Sequence, residues 1–306
     1  MTHLLADTDP GTDDAIALAV ASVYFKDSIS AMISTYGNTV NDTTFANLVN
    51  LNSLLGINTK VICGANQKIG SSEPQPTLDG YHGQYGLCGV KLPECTPSIP
   101  KSEDFLKGLY EHIVECKSVY YVAVGPLTNL ALLLEKYPDV KDYIKEALIM
   151  GGGFDISNTA NSTEFNFAND PTAVKIVLQS GIDIKLFPLD TTHKLALSKD
   201  EVCDIIGRQE HDIDESDICA YALLSRIFYG NFSTAVRHGE SGSIMHDTAP
   251  FLYLIDGIEH TELRKKIDVD EHGRTYCSDK GYDVTVVEFA YNRQMKEVLE
   301  NTFSVL

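Results

Sequence analysis

The chain has 306 residues, 43% of them hydrophobic, with 43 acidic against 24 basic side chains and a formal net charge of −19. That length and apolar content supply a full core, so residues 1–306 are expected to fold as a single domain. The negative charge argues against nucleic acid or an anionic membrane as partner and suits a neutral or cationic ligand.

No uninterrupted apolar run is long enough to cross a bilayer, so no transmembrane helix is expected. Met1-Thr2-His3 enters a strand without a basic n-region, which predicts a cytoplasmic protein. Seven scattered cysteines with no C-x-x-C pair predict neither a disulfide framework nor a structural zinc site. Tryptophan is absent, so any stacking on a ligand falls to Tyr, Phe or His.

The first strand ends in Ala6-Asp7-Thr8-Asp9-Pro10-Gly11-Thr12-Asp13-Asp14, directly before an apolar helix around residues 15–21. Four aspartates at one strand–helix junction are unfavourable unless a cation neutralises them or one stays protonated. A single Asp would suffice to cap the helix. The surplus points to a hard-cation site.

Further strands are predicted at residues 30–34, 60–63, 119–124, 147–150 and 182–188, apolar runs followed by Gly, Pro or Asn. Helices are predicted at 102–116, at 127–136 and at 172–180, the last behind Asp170-Pro171 and before Gly181. Ser198 and Glu201 form a capping box, and a long helix follows around 218–236. The alternation predicts an α/β fold: an open, mostly parallel sheet with helices on both faces and a helical lid near 198–245. Residues 69–100 and 239–246 are expected to be functional loops.

In such a sheet, polar groups at strand ends converge on one edge. Here these are Asp9, Asp13 and Asp14, then Tyr36-Gly37-Asn38, Gly125-Pro126-Leu127-Thr128-Asn129 and Gly151-Gly152-Gly153. Gly151-Gly152-Gly153-Phe154-Asp155-Ile156 lacks the last glycine of a dinucleotide fingerprint. Gly239-Glu240-Ser241-Gly242-Ser243 is not a nucleophile elbow, and Asp212-Ile213-Asp214-Glu215-Ser216 reads as a solvated charge run. Glu164-Phe165-Asn166-Phe167 alternates polar and aromatic, which in an extended segment sends both polar side chains one way. His246-Asp247 could pair an acid with a metal ligand.

The N-terminal motif resembles the signature of the nucleoside hydrolases, the inosine-uridine-preferring nucleoside N-ribohydrolases. The resemblance continues through Tyr36-Gly37-Asn38, Gly80-Tyr81-His82-Gly83, Gly125-Pro126-Leu127-Thr128-Asn129, Met150-Gly151-Gly152-Gly153, Glu164-Phe165-Asn166 and His246-Asp247, all in order between residues 7 and 247. It implies hydrolysis of ribonucleosides to ribose and free base. Ca²⁺ would be held by Asp9, both oxygens of Asp14, the Val124 carbonyl and Asp247. Asp13 would be the general base on a metal-bound water. Asn38, Asn158, Glu164 and Asn166 would hold the ribose hydroxyls, with Met150 against the sugar. His246 is the candidate general acid, and His82 would orient the base. His82 and His246 in a chain without Trp resemble members that accept both base classes or pyrimidines alone. The resemblance also implies a homodimer or homotetramer. The helix around Arg226, Phe228 and Tyr229 carries no matching motif and leaves its base contacts unassigned.

Two other readings compete. A magnesium phosphohydrolase of the haloacid dehalogenase type also places Asp7-x-Asp9 after its first strand, but gives Asp13-Asp14 no role. A non-catalytic, Ca²⁺-dependent nucleoside-binding protein would have no need for Asp13.

Overall fold

The computed structural model describes residues 3–72, 81–96, 104–207, 216–290 and 292–306. Gly80, much of the first expected loop, the start of the helix expected from 102 and residues 212–215 of the charge run lie outside the described residues.

The strands are β1 (His3–Thr8), β2 (Ile29–Ser34), β3 (Lys60–Cys63), β4 (Val119–Ala123), β5 (Ile144–Met150), β6 (Ile184–Phe187), β7 (Ala196–Leu197), β8 (Ser243–Ile244), β9 (His260–Val269), β10 (Thr275–Cys277) and β11 (Tyr282–Phe289). The helices are α1 (Thr12–Tyr24), α2 (Asn41–Leu54), α3 (Phe105–Cys116), α4 (Thr128–Lys136), α5 (Phe165–Asn169), α6 (Pro171–Gln179), α7 (Leu189–Thr192), α8 (Lys199–Ile205), α9 (Ala220–Arg237), α10 (Ala249–Leu254) and α11 (Arg293–Val305).

Among the described residues nine strands form one sheet in the order β10-β9-β11-β6-β5-β4-β1-β2-β3, and β7 with β8 makes a small antiparallel ribbon. The strands from β6 to β3 run parallel, β11 joins β6 in parallel, and β9 and β10 add antiparallel pairs. From β1 the chain winds outward to β2 and β3, then returns to β4 on the other side. The topological switch point therefore lies between β1 and β4, where open α/β sheets leave a crevice beyond the carboxyl ends of their strands.

Strand alternation sorts the core into two layers. Leu4, Ala6, Val122 and Leu148 pack with α1, α2, α9 and α11 on one face. Leu5, Tyr121, Ala123 and Ile149 pack with α3, α4 and α6 on the other. The caps behave as their chemistry predicts. Asp170 caps α6 through the Ala173 N–H with Pro171 in its first turn, and the Ser198–Glu201 box opens α8.

The segment expected to be extended at 164–167 is instead helical. Glu164 is the N-cap of α5 and its carboxylate accepts the N–H groups of Asn166 and Phe167. Satisfying those free donors outweighs the alternating pattern. All seven cysteines are free, with Cys203 buried and Cys219 and Cys277 exposed. Among the described residues no helix is long and apolar enough to cross a membrane.

Candidate active site

The alternation of β1 separates its aspartates. Thr8 points toward α1 and its hydroxyl donates to Asp14. Asp7 points to the opposite face, where Tyr121 Oη donates to it at 2.7 Å and Asn129 Nδ2 at 2.8 Å. Asn129 also donates to the Ser34 carbonyl at 3.1 Å and accepts the Ala65 N–H at 2.8 Å. Asp7 thus locks β1 to β4, α4 and the end of β2, and burial pushes its carboxyl up to about 7.

Asp9 lies just beyond the strand end, buried and held by the Asn38 N–H at 2.7 Å. A Cβ on Gly37 would fall 2.0 Å from its Oδ2, and one on Gly125 would fall 2.6 Å from its Oδ1. The two glycines are what let the turns after β2 and β4 close on this carboxylate. Among the described residues no group hydrogen-bonds its buried Oδ1. Asn38 also donates Nδ2 to Asp14 at 3.0 Å, and the Gly11 N–H donates to the same oxygen at 2.9 Å.

Asp13, Asp14 and Asp247 each place a carboxylate oxygen within 4.8 Å of the others, and all three are buried. Asp13 and Asp14 sit in the first turn of α1, and Asp247 follows β8 in a single 3₁₀ turn, His246–Thr248. Desolvation, then the neighbouring carboxylates, push Asp9 and Asp247 well above the ordinary carboxylate range. Desolvation first, then Asp14, raises Asp13 to about 7; burial also raises Asp14. Among the described residues no lysine or arginine ion-pairs with the four. An all-oxygen set of crowded carboxylates with an orphaned Asp9 oxygen fits a hard cation. The bonds from Thr8, Gly11 and Asn38 orient the Asp14 oxygens as an outer shell would.

The wall across the crevice comes from β4, β5 and α5. Asn166 Nδ2 donates to the Val124 carbonyl at 2.9 Å and lies 3.4 Å from the Met150 carbonyl. The Val124 oxygen keeps a second lone pair. Glu164 accepts the Gly152 N–H at 2.9 Å, besides its two bonds within α5. Burial raises it to about 7, against the pull of those three N–H donors. Asn158 is not brought to this wall: it is exposed on the loop after β5, its N–H bonded to the Thr163 carbonyl.

Two histidines flank the acidic cluster. His82 Nδ1 lies against Thr12, and its imidazole is lowered to about 4 by burial. His246 Nδ1 lies 2.7 Å from Thr192 Oγ1, and its ring is 5.5 Å from that of His193. Burial first, then His193 and His82, lowers it to about 3, so it is neutral at ordinary pH. Tyr81 sits between His82 and His238, with ring centroids 5.3 and 5.2 Å away.

On α9 the aromatic run does not supply the site. Phe228 stacks on Phe303 in the core, and the Arg226 guanidinium donates to the Asp217 carbonyl. Gly230 and Thr234 instead border a cavity of about 290 Å³ shared with Tyr81, Gly83 and Cys88. Asn231, one position on, reaches Thr12. Thr12, Thr192, Asn231 and Ser243 are supporting residues that no local pattern marks.

The sequence matches the family model "Inosine-uridine preferring nucleoside hydrolase" over residues 4–299. This chain belongs to that family. It is 30% identical over 285 residues to the pyrimidine-specific ribonucleoside hydrolase RihB of Escherichia coli O139:H28, covering 91% of this chain and 88% of the relative. Its fold superposes on a purine-preferring ribonucleoside hydrolase from Gardnerella vaginalis with a TM-score of 0.86 at 24% identity, covering 99% of each chain. An inosine-uridine preferring nucleoside hydrolase from Bacillus anthracis gives a TM-score of 0.75 at 17% identity, covering 100% of both. The chain is thus a ribonucleoside hydrolase of α/β fold, and the haloacid dehalogenase alternative is set aside.

Proposed function

We propose that this enzyme hydrolyses the N-glycosidic bond of ribonucleosides with Ca²⁺ as its metal, and that it accepts pyrimidine nucleosides. The observation that carries the metal and the mechanism is the buried convergence of Asp13, Asp14 and Asp247 beside an orphaned Asp9 oxygen. Asp9, Asp14, the Val124 carbonyl and Asp247 would hold the ion. When bound, it supplies a lowered pKa for the attacking water and ligation for the ribose 2′- and 3′-hydroxyls.

Asp13 takes the proton of the attacking water. It is the acid of the cluster not assigned to the ion, which leaves its carboxylate free to accept a proton. Asn38, Glu164 and Asn166 hold ribose hydroxyls, with Met150 against the sugar. Asn158 would have to turn inward to join them. Carboxylates around the ring favour a transition state with oxocarbenium character. His246, neutral in the free enzyme, would take up a proton from solvent as negative charge grows on the leaving base beside it, and pass that proton to the base. His82 orients the base.

The acceptance of pyrimidines rests on the pyrimidine-specific relative and on the histidine pair in a chain without Trp, a pair that fits acceptance of both base classes or of pyrimidines alone. A homodimer or homotetramer is proposed on family membership alone. The test is ribose release from uridine, cytidine, inosine, adenosine and guanosine, with and without chelator. Uridine and cytidine should be cleaved, chelator should stop the reaction, and calcium should restore it. Binding of all five without turnover would leave the nucleoside-binding alternative standing.

A further inference from the structure

The donors around His82 determine where its proton sits. The Thr12 backbone N–H points at Nδ1 from 3.3 Å, and the Thr12 hydroxyl lies 3.2 Å from the same atom. A main-chain N–H can only donate, so Nδ1 is the bare nitrogen and the ring proton is on Nε2. The hydroxyl is oriented in turn: its oxygen accepts Asn231 Nδ2 at 2.8 Å, which leaves its hydrogen for Nδ1. In the same arrangement Asn231 Oδ1 accepts the Ser243 hydroxyl at 2.6 Å.

Thr12, Asn231 and Ser243 are all buried, so none of these bonds competes with bulk water. The chain of bonds starts on the β7–β8 ribbon, crosses α9 and the first turn of α1, and ends on the loop carrying His82. Burial also keeps the imidazole neutral near pH 7.

We infer that Ser243, Asn231 and Thr12 are positioning residues that hold His82 as a neutral imidazole donating from Nε2. That donor favours a leaving base with an acceptor beside its glycosidic nitrogen, such as the ring carbonyl oxygen of a pyrimidine. The inference rests on the proposed hydrolase reading for its consequence, but not for the tautomer.

Nitrogen NMR of the calcium-loaded, histidine-labelled enzyme reads the tautomer directly. His82 is assigned by the signal lost in His82→Gln. A protonated Nε2 and bare Nδ1 are expected, and Asn231→Leu, which leaves the Thr12 backbone N–H in place, should keep that tautomer as the major form while loosening the second bond to Nδ1. A wild-type signal with the proton on Nδ1, or on both nitrogens near pH 7, overturns the inference.

Kinetics supply the second readout. Asn231→Leu and His82→Ala should each lower kcat/KM for uridine about tenfold. The double variant should be no worse than His82→Ala alone, because the relay acts through that ring. Additive losses would mean that Asn231 supports the fold independently of His82, and would overturn the proposal. Should Asn231→Leu fail to fold, Ser243→Ala carries the same cycle with one hydroxyl removed. A protonated Nε2 in a chain that cleaves no nucleoside would sink the hydrolase reading and leave the tautomer assignment intact.

Discussion

Thr192 Oγ1 lies 2.7 Å from His246 Nδ1, so the last residue of α7 fixes the tilt of the imidazole proposed as acid. The same short helix holds the sugar-side loop. Leu189 donates its N–H to the Gly152 carbonyl at 2.9 Å, and Asp190 accepts the N–H groups of Phe154 and Asp155 at 2.7 and 2.9 Å. Four residues thereby set the spacing between the ribose wall and the leaving-group histidine.

His246→Ala is therefore expected to slow uridine by roughly 10²–10⁴-fold, the usual contribution of a general acid. p-Nitrophenyl riboside, whose leaving group departs without a proton, should be nearly unaffected. Thr192→Val should show the same contrast at about tenfold, the scale of one hydrogen bond, and Thr192→Ser should restore most of it. Equal slowing of both substrates would assign His246 to structure or metal instead.

Asp13→Ala should lower turnover by roughly 10²–10⁴-fold while calcium still binds, since Asp13 is the cluster acid not needed as a ligand. Calorimetric titration with calcium beside a ribose-release assay separates the two effects. About one ion per chain is expected in both proteins. A variant with near-full turnover would remove Asp13 from the mechanism.

Calcium removal should make stability fall with rising pH. Asp13 and Glu164 reach about 7 in the folded chain, and Asp9, Asp14 and Asp247 are also raised. Unfolded carboxyls titrate near pH ~4. Between those values these carboxyls hold more protons folded than unfolded, so their contribution to the slope of unfolding free energy with pH is negative, while His82 and His246, lowered by burial, oppose it only below about pH 6.5. The contribution is complete below about pH 4 and is lost as the pH rises through about 7. Thermal melts at about pH 5 and about pH 8, with and without chelator, test this linkage. The rise in Tm given by calcium should be larger at the higher pH. Equal rises would mean that the carboxyls do not hold those protons.

The acidic turn was legible because its chemistry is local: four carboxylates in eight residues need an explanation wherever they fold. The parallel sheet was legible for a similar reason, since its strands are continuous apolar runs between capped helices. β9 was not, because it exposes Glu262, Arg264 and Lys266 and lacks the apolar run of the central strands. Nor was the bond from Asn231 to Thr12, which joins residues 219 positions apart. Alternation misplaced the Glu164 segment because the pattern does not record backbone N–H groups that need an acceptor. Asp7 shows the opposite limit. It belongs to the motif by sequence, yet the pleat turns it away from the cluster and gives it to Tyr121 and Asn129.

The ribose hydroxyls should govern both binding and rate. Asn38 and Asn166 are committed to protein acceptors by their Nδ2 atoms, which leaves their oxygens to accept from a sugar hydroxyl. Glu164, holding three backbone N–H groups, retains lone pairs for one more donor. A 2′-deoxynucleoside leaves such groups and the metal shell unsatisfied, and sites built for a hydroxyl reject its absence by about 10⁴-fold or more. A 5′-phosphate would bring two negative charges toward a site already crowded with carboxylates, so uridine monophosphate should fail as well. The comparison is kcat/KM for uridine, deoxyuridine and uridine monophosphate at saturating calcium. Uridine should exceed both by about four orders of magnitude or more. Comparable values for all three would show that the sugar is not gripped by this wall, and the roles given to Asn38, Glu164 and Asn166 would have to be withdrawn.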